Sequence, residues 1–118
     1  METSISFIGM PPSAALRSDI EAHAHRLLRF APALQRCEVT VSRHERRHQH
    51  GNRYRVRIDA SVPGASFVAG RSGDDEQEHE DAYVAVRDAF DALRRQLEDF
   101  IRIRRGNVKI HSSARPPG

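Results

Sequence analysis

The stretch RYRVRIDASVPGASFVAGR, residues 53–71, carries the pattern that decides the fold. Apolar and polar side chains alternate through its first ten residues, which is the period of a β-strand with one buried face. The core-facing set is Tyr54, Val56, Ile58, Ala60 and Val62. The opposite set is Arg53, Arg55, Arg57, Asp59 and Ser61. The pattern therefore predicts a strand with an apolar inner face and an arginine-rich outer face in water.

The strand ends at Pro63 and Gly64, which suit the two central positions of a type II turn. The run that follows, residues 65–71, keeps the alternation through Ala65, Phe67 and Ala69. The whole stretch is therefore predicted to form an antiparallel β-hairpin.

Two further strands are predicted upstream of the hairpin. RCEVTVSRH, residues 36–44, places Cys37, Val39 and Val41 on one face. SISFIG, residues 4–9, alternates in the same way and is followed by two prolines. Cys37 is expected in the core.

Helical spacing of apolar residues marks two helices. The first is predicted over about residues 14–30, with Ser13 as its N-cap and Pro32 beyond its end. The second is predicted over about residues 80–104, ending near Gly106. Its apolar stripe comprises Tyr83, Val86, Phe90, Leu93, Leu97 and Ile101.

The element order is β-α-β-β-β-α, which predicts an α+β fold. Its four-stranded, mainly antiparallel sheet has both helices packed on its single apolar face. A chain of 118 residues fits one domain, here residues 1–106. Residues 74–80 are expected to be an acidic loop insertion, and residues 107–118 a flexible C-terminal tail.

The composition indicates a globular protein with a small core, since 38% of residues are hydrophobic and 30% are charged. No run approaches the about 20 apolar residues that span a bilayer, and the first residues lack the features of a secretory signal. A single cysteine cannot form an internal disulfide. We therefore expect a cytoplasmic protein without a membrane partner.

Charge is distributed unevenly. Six of the sixteen acids fall in DDEQEHED, residues 74–81, so the rest of the chain has nineteen basic residues against ten acids, a formal charge of +9. A basic body suggests a polyanionic partner. The acidic segment lacks the alternating ligands and central glycine of an EF-hand, so a solvated loop is the better interpretation.

The pattern offers little for catalysis. There is no glycine-rich phosphate loop, no paired carboxylates on a cleft, and no reason to bring Cys37 near a histidine, so we expect neither an enzyme nor a cofactor. His44, His48 and His50 are spaced closely enough to suggest zinc or nickel. The arginines around them disfavour a divalent cation. A metal site is therefore less favoured than either a nucleic-acid-binding or a protein-interaction function.

Basic residues lie off the apolar stripes of both helices. They are Arg17, Arg26 and Arg29 on the first, and Arg87, Arg94, Arg95, Arg102 and Arg105 on the second. Helices side by side on one sheet could join them into one positive patch. The alternative is an ordinary solvated surface, with Arg94 and Arg95 partly paired with Asp91, Glu98 and Asp99 through neighbouring turns.

Two segments resemble one family. DAYVAVRDAFDALRRQL, residues 81–97, is similar to the second-helix signature of ribosome hibernation promoting factors, also called ribosome-associated inhibitor A or sigma-54 modulation proteins. SAALRSDIEAHAHRLLRF, residues 13–30, is similar to that family's first helix. The resemblance covers about residues 3–105, and the predicted order of strands and helices is the family's fold.

The resemblance implies a non-enzymatic hibernation factor that inhibits translation. It would bind the small ribosomal subunit in the channel for messenger and transfer RNA, with ribosomal RNA rather than DNA as its partner. The residues expected to contact RNA are Arg17, His23, Arg26, Arg29, Arg94, Arg95 and Arg102. The resemblance leaves the oligomeric state open.

The chain departs from the family pattern at several positions. His23 and Ala92 stand where the family usually has lysine, and Arg87 stands where it usually has an acid. The end of the second helix contains Glu98 and Asp99, and GDDEQEHE is inserted before that helix. The alternative is therefore a divergent paralogue that acts as a protein-interaction or regulatory module without binding ribosomes.

Overall fold

The computed structural model describes residues 1–45, 52–70 and 78–114. Side chains are described for residues 1–44, 52–70 and 79–106. The strands are β1 (Glu2–Ile8), β2 (Arg36–Glu45), β3 (Asn52–Val62), β4 (Ala65–Ala69) and β5 (Glu78–His79), and the helices are α1 (Ala14–Phe30) and α2 (Ala82–Ala114). The predicted order β-α-β-β-β-α is confirmed, with the short β5 added to it.

The sheet has the strand order β1-β2-β3-β4, and β5 pairs with β3 beyond the end of β4. β1 and β2 are parallel, and the other pairs are antiparallel, so the sheet is mainly antiparallel as predicted. The register of β2 and β3 sets Val39 opposite Ile58 and Val41 opposite Val56. This register places the predicted apolar sets of both strands on one face.

The core lies between that face and the two helices. Val39, Val41, Val56 and Ile58 are at most 1% exposed, and the described residues include no buried polar or charged side chain. The large buried side chains of the helices are Leu16, Ile20, Leu27, Val86, Phe90, Leu93 and Leu97. Both helices therefore pack on the same face of the sheet, as predicted.

Cys37 belongs to this core and is fully buried. Burial raises the pKa of its thiol to about 11. The thiol is therefore protonated at neutral pH, which agrees with the prediction that Cys37 is a packing residue.

The predicted bounds of α1 are confirmed. The Ser13 hydroxyl accepts a hydrogen bond from the backbone N–H of Leu16 at 3.2 Å, which caps the first turn. At the other end the N–H of Ala31 donates to the carbonyl of Leu27, and Pro32 follows. The hairpin turn is confirmed too, since Gly64 has a φ of +84°, as the third residue of a type II turn requires.

The predicted end of α2 near Gly106 is wrong, because the helix continues to Ala114. Gly106 is not among the glycines with positive φ, so it is an ordinary helical residue, at a cost of about 1 kcal/mol relative to alanine. The predicted start of the flexible tail, residue 107, lies inside this helix, and residues 115–118 lie outside the described residues. The placement of Tyr83 on the apolar stripe is also wrong, because it is 46% exposed.

Part of the predicted acidic loop forms β5. Glu78 lies opposite Arg55 and His79 opposite Tyr54 in an antiparallel register, while residues 71–77 lie outside the described residues. After β5, the Asp81 carboxylate accepts a hydrogen bond from the N–H of Tyr83 at 2.8 Å. Asp81 therefore caps the start of α2, and the acidic segment ends as part of the fold.

Gly70 is predicted to be intolerant of any side chain. Its φ is +76°, and a Cβ added there would overlap the carbonyl oxygen of Val56 in the neighbouring strand. Gly70→Ala should therefore lower the free energy of unfolding by at least about 2 kcal/mol in urea titration. The control is Gly106→Ala, where a Cβ meets nothing within 4 Å and should raise stability by up to about 1 kcal/mol. Equal effects at the two sites would contradict this account.

Candidate nucleic-acid interface

α1 and α2 lie side by side and form a groove on the side away from the sheet. The His23 ring stacks on Phe90 with their centroids 5.3 Å apart and their planes 14° from parallel. Further along both helices, the guanidinium carbon of Arg94 lies 4.5 Å from the centre of the Phe30 ring. The helices therefore run in the same direction. We call the space between them the inter-helix groove; its lining is His23, Arg26, Leu27, Phe90, Asp91 and Arg94.

His23 is held in one orientation by polar contacts on both sides. Its Nδ1 lies 3.2 Å from Nη2 of Arg26, and its Nε2 lies 3.7 Å from Oδ2 of Asp19. A guanidinium can only donate, so Nδ1 must accept and the ring proton of the neutral tautomer resides on Nε2, facing Asp19. Arg26 and Asp19 thus favour the neutral tautomer with its proton on Nε2.

The pKa of His23 is lowered from its ordinary value of 6.5. The first cause is burial, since only 18% of the side chain is exposed and the Phe90 ring covers one face. Asp19 and Asp91 act in the opposite direction, while Arg26 and Arg87 lower the pKa further. His23 is therefore neutral at pH 7, and the positive charge of the groove comes from arginine.

Arg94 lies across the groove from Arg26. Besides its position over Phe30, its Nε donates to Oε1 of Glu98 at 3.0 Å, one helical turn away. The side chain is 53% exposed, so the ion pair with Glu98 contributes no more than about 1 kcal/mol. An arginine held over an aromatic face keeps its outer N–H groups available to an anion.

The other predicted residues on this side lie outside the groove. Arg95 and Arg102 are two turns apart, on the line of α2 that points away from the core, and both are exposed. Arg102 donates to Asp99 at 2.8 Å. Arg29 is exposed near the end of α1. These three side chains extend the basic surface around the groove without lining it.

Arg17 is not part of this surface. Its guanidinium carbon lies 5.9 Å from the ring centre of Phe7, on the edge strand β1, whereas α2 packs over β3 and β4. It therefore occupies the opposite flank of α1. Of the seven predicted residues, the structure brings together His23, Arg26 and Arg94 in the groove, places three around it, and separates Arg17 from all of them.

The groove is a small, open cleft with an apolar floor. Its volume is about 250 Å³, it opens to solvent, and its floor is made by Leu27 and Phe90. Two guanidinium groups face Asp91, so the lining has a net positive charge with His23 neutral. Such a lining can accept a phosphate beside an apolar surface.

One of the three candidate metal-binding histidines lies within the described residues. His44 lies opposite Arg53 on the outer face of the sheet, while His48 and His50 lie outside the described residues. Across the ranges that the structure describes, no three His, Cys, Asp or Glu side chains come together as a metal-binding group. In the same ranges no helix is long and apolar enough to cross a membrane.

The aromatic partners of the interface are not predicted by the sequence pattern. The helical spacing places Phe90 on the core stripe and indicates no role for Phe30. An arginine and a phenylalanine on different helices have no fixed spacing in the sequence, so their contact could not be read from it. A third missed contact is the hydrogen bond from Nε2 of Gln96 to the carbonyl of Val68 at 2.9 Å, which fastens α2 to the edge strand β4.

The fold and the groove define an α+β domain whose two parallel helices form an arginine-lined groove. The chain belongs to the family described as Sigma 54 modulation protein / S30EA ribosomal protein, which it matches over residues 3–105. The resemblance noted from the sequence is thereby confirmed. No match was found among curated protein sequences.

Solved structures share the fold. A ribosomal subunit interface protein from Coxiella burnetii superposes with a TM-score of 0.68 at 20% identity, covering 85% of this chain and 97% of that one. The N-terminal domain of Protein Y from Thermus thermophilus gives 0.63 at 22% identity, covering 85% of this chain and 99% of that one. At these identities the likeness establishes the fold.

The neutral state of His23 predicts a pH dependence of stability. Because its pKa is lowered in the folded protein, the unfolded chain takes up the proton first as the pH falls. The contribution of His23 is therefore complete above pH 6.5 and is lost as the pH falls from 6.5 towards the lowered value. Urea unfolding should show the stability difference between wild type and His23→Gln shrinking over that window.

His25→Gln is the matched control for this measurement, since His25 is exposed on the same helix. It should keep the pH dependence of the wild type. A difference between wild type and His23→Gln that grows on acidification would show that the folded protein holds the charged ring.

Proposed function

We propose that this protein is a ribosome-associated translation inhibitor, a hibernation factor that binds the small ribosomal subunit in the channel for messenger and transfer RNA. The observation that carries the proposal is membership of a family described as ribosomal, over residues 3–105. The inter-helix groove supports it, because Arg26 and Arg94 converge there beside exposed Arg29 and Arg95. A ribosomal partner also implies a cytoplasmic location.

The proposed mechanism is occlusion without chemistry. A domain seated in the channel excludes messenger and transfer RNA by volume, so it needs affinity and shape but no reacting group. Arginines in and around the groove would contact phosphates of ribosomal RNA, and each contact releases counterions. Binding would therefore weaken steeply as salt rises, with little dependence on base sequence.

A second candidate is a regulatory or protein-interaction module that no longer binds ribosomes. The observation in its favour is the pairing of arginines with acids on α2, where Arg94 contacts Glu98 and Arg102 contacts Asp99. These pairs reduce the net charge that the helix face offers to RNA. Because they are exposed and individually weak, a phosphate can replace the carboxylate, which makes ribosome binding the favoured function.

Charge reversal on the groove tests the proposal. Arg26→Glu with Arg94→Glu should reduce co-sedimentation with small ribosomal subunits at least about tenfold and flatten its salt dependence, because two phosphate contacts are lost. Arg29→Glu with Arg95→Glu tests the surrounding surface in the same way. Pelleting of the purified variants is measured across a salt series.

The matched control is Arg36→Glu with Arg104→Glu. Arg36 lies on the outer face of the sheet beside Glu38, and Arg104 lies 5.6 Å from the centre of the Phe100 ring, so neither lines the groove. The control pair changes the net charge by the same amount and should bind nearly as wild type. If wild-type protein fails to pellet at low salt, the second candidate is the better description.

A further inference from the structure

The outer face of the sheet carries a second set of arginines that the helix-pair function does not use. We call Arg53, Arg55 and Arg57 of β3 the arginine row. Alternate residues of an antiparallel strand lie about 7 Å apart on the same face, so the row presents three evenly spaced guanidinium groups. Arg53 and Arg57 have side chains that are 26% and 47% exposed. The row lies across the sheet from the helices and cannot share a ligand contact with the groove.

Two positions of the row contact an acid, and the third is aligned with one in the strand register. Arg57 donates twice to Asp59, at 3.0 and 3.2 Å, from two positions away on the same strand. Arg53 lies 3.7 Å from an oxygen of Glu80, and Arg55 stands opposite Glu78 in the strand register. Asp59 is part of β3 itself, whereas Glu78 and Glu80 come from the acidic segment. Glu80 contacts Arg53 and Glu78 is aligned with Arg55, and both acids belong to β5 and the residue after it.

β5 is held loosely. It has only two residues, too few for a stable strand pair on its own. The Glu80 side chain is 75% exposed, and its 3.7 Å pair with Arg53 is worth at most about 1 kcal/mol. A further contact joins Nε2 of His79 to Oδ2 of Asp88 on α2, at 3.1 Å. A stronger polyanion could therefore displace the acids at small cost.

We propose that the arginine row is a second binding surface for the phosphate backbone of single-stranded RNA, and that the acidic strand β5 competes with RNA for it. Guanidinium groups bind phosphate through a planar fork, which a row of arginines repeats along a strand. In the free protein, Glu80 of the segment contacts Arg53, whose N–H groups a phosphate would use. The proposal concerns the opposite face of the sheet and does not rest on ribosome binding by the helices.

Neutralising the competing acids tests the proposal. Glu78→Gln with Glu80→Gln should bind a short fluorescent oligouridylate at least about threefold more tightly at low salt, measured by anisotropy. The log-log salt slope should steepen by about 1.4, since two added phosphate contacts contribute about 0.7 each on a single strand. His79→Ala, which removes the contact with Asp88 and leaves both glutamates, should also tighten binding.

The matched control is Glu2→Gln with Glu38→Gln. These residues lie on the same outer face, in the cross-strand rows of Arg36 and Asp59 at the far end of the sheet from β5, and they change the net charge equally. The control pair should leave the salt slope near that of the wild type. An equal gain from the control pair would show a general charge effect and overturn local competition.

Two further variants locate the gain. Adding Arg53→Gln to the neutralised pair should remove about half of the added salt slope, about 0.7, whereas adding Arg94→Gln and Arg95→Gln on the helices should leave the increment intact. A gain that Arg53→Gln leaves undiminished, or no gain at all, overturns the proposal. Poly-glutamate competing as well as oligouridylate would assign the row to acidic polypeptides instead. Ribosome pelleting is scored separately, so failure there leaves this test unaffected.

Discussion

The structure depends on burial of one apolar surface, the inner face of β2 and β3. Val39, Val41, Val56 and Ile58 lie there almost without exposure, and both helices bury their stripes against this face. Each such side chain contributes roughly 1.5 to 3 kcal/mol to stability relative to exposure. The four together therefore contribute more than any exposed ion pair that the structure describes. Side chains alternate between the two faces of a strand, so the residues on either side of each buried one lie on the opposite face of the sheet, in water.

That constraint separates the charges into two layers. Both helices share one face, so they lie side by side and their exposed arginines meet along the inter-helix groove. The arginines of β3 cannot join them, since the sheet stands between. Arg17 is separated for a related reason, because its helix packs towards the edge strand β1 and this residue contacts Phe7 on that side. Apolar packing therefore decides which basic residues can act together.

Features set by local pattern could be predicted from the sequence. The alternation of apolar and polar residues predicted β2 and β3 and which face of each is buried. Ser13 and Pro32 indicated where α1 begins and ends. The end of α2 could not be predicted, because Gly106 suits both a C-cap and a helix interior, and neighbouring turns decide between them. β5 could not be predicted, because two residues are too few to show an alternating pattern and the strand forms only by pairing with β3. The arginines were found as candidates, but their grouping needed the packing of two helices.

On both layers arginines are paired with acids. Such pairing has a different effect on anion binding from a loss of the arginines themselves. Arg94 with Glu98 and Arg53 with Glu80 are exposed pairs, each worth at most about 1 kcal/mol, so they are reversible contacts. A phosphate that takes the place of the carboxylate also releases counterions from the nucleic acid, which the internal pair cannot do. Internal acids thus set a threshold that a dense polyanion exceeds and isolated anions do not. If these arginines bind RNA as proposed, we expect the neighbouring acids to favour extended RNA over free phosphate without any contact to a base.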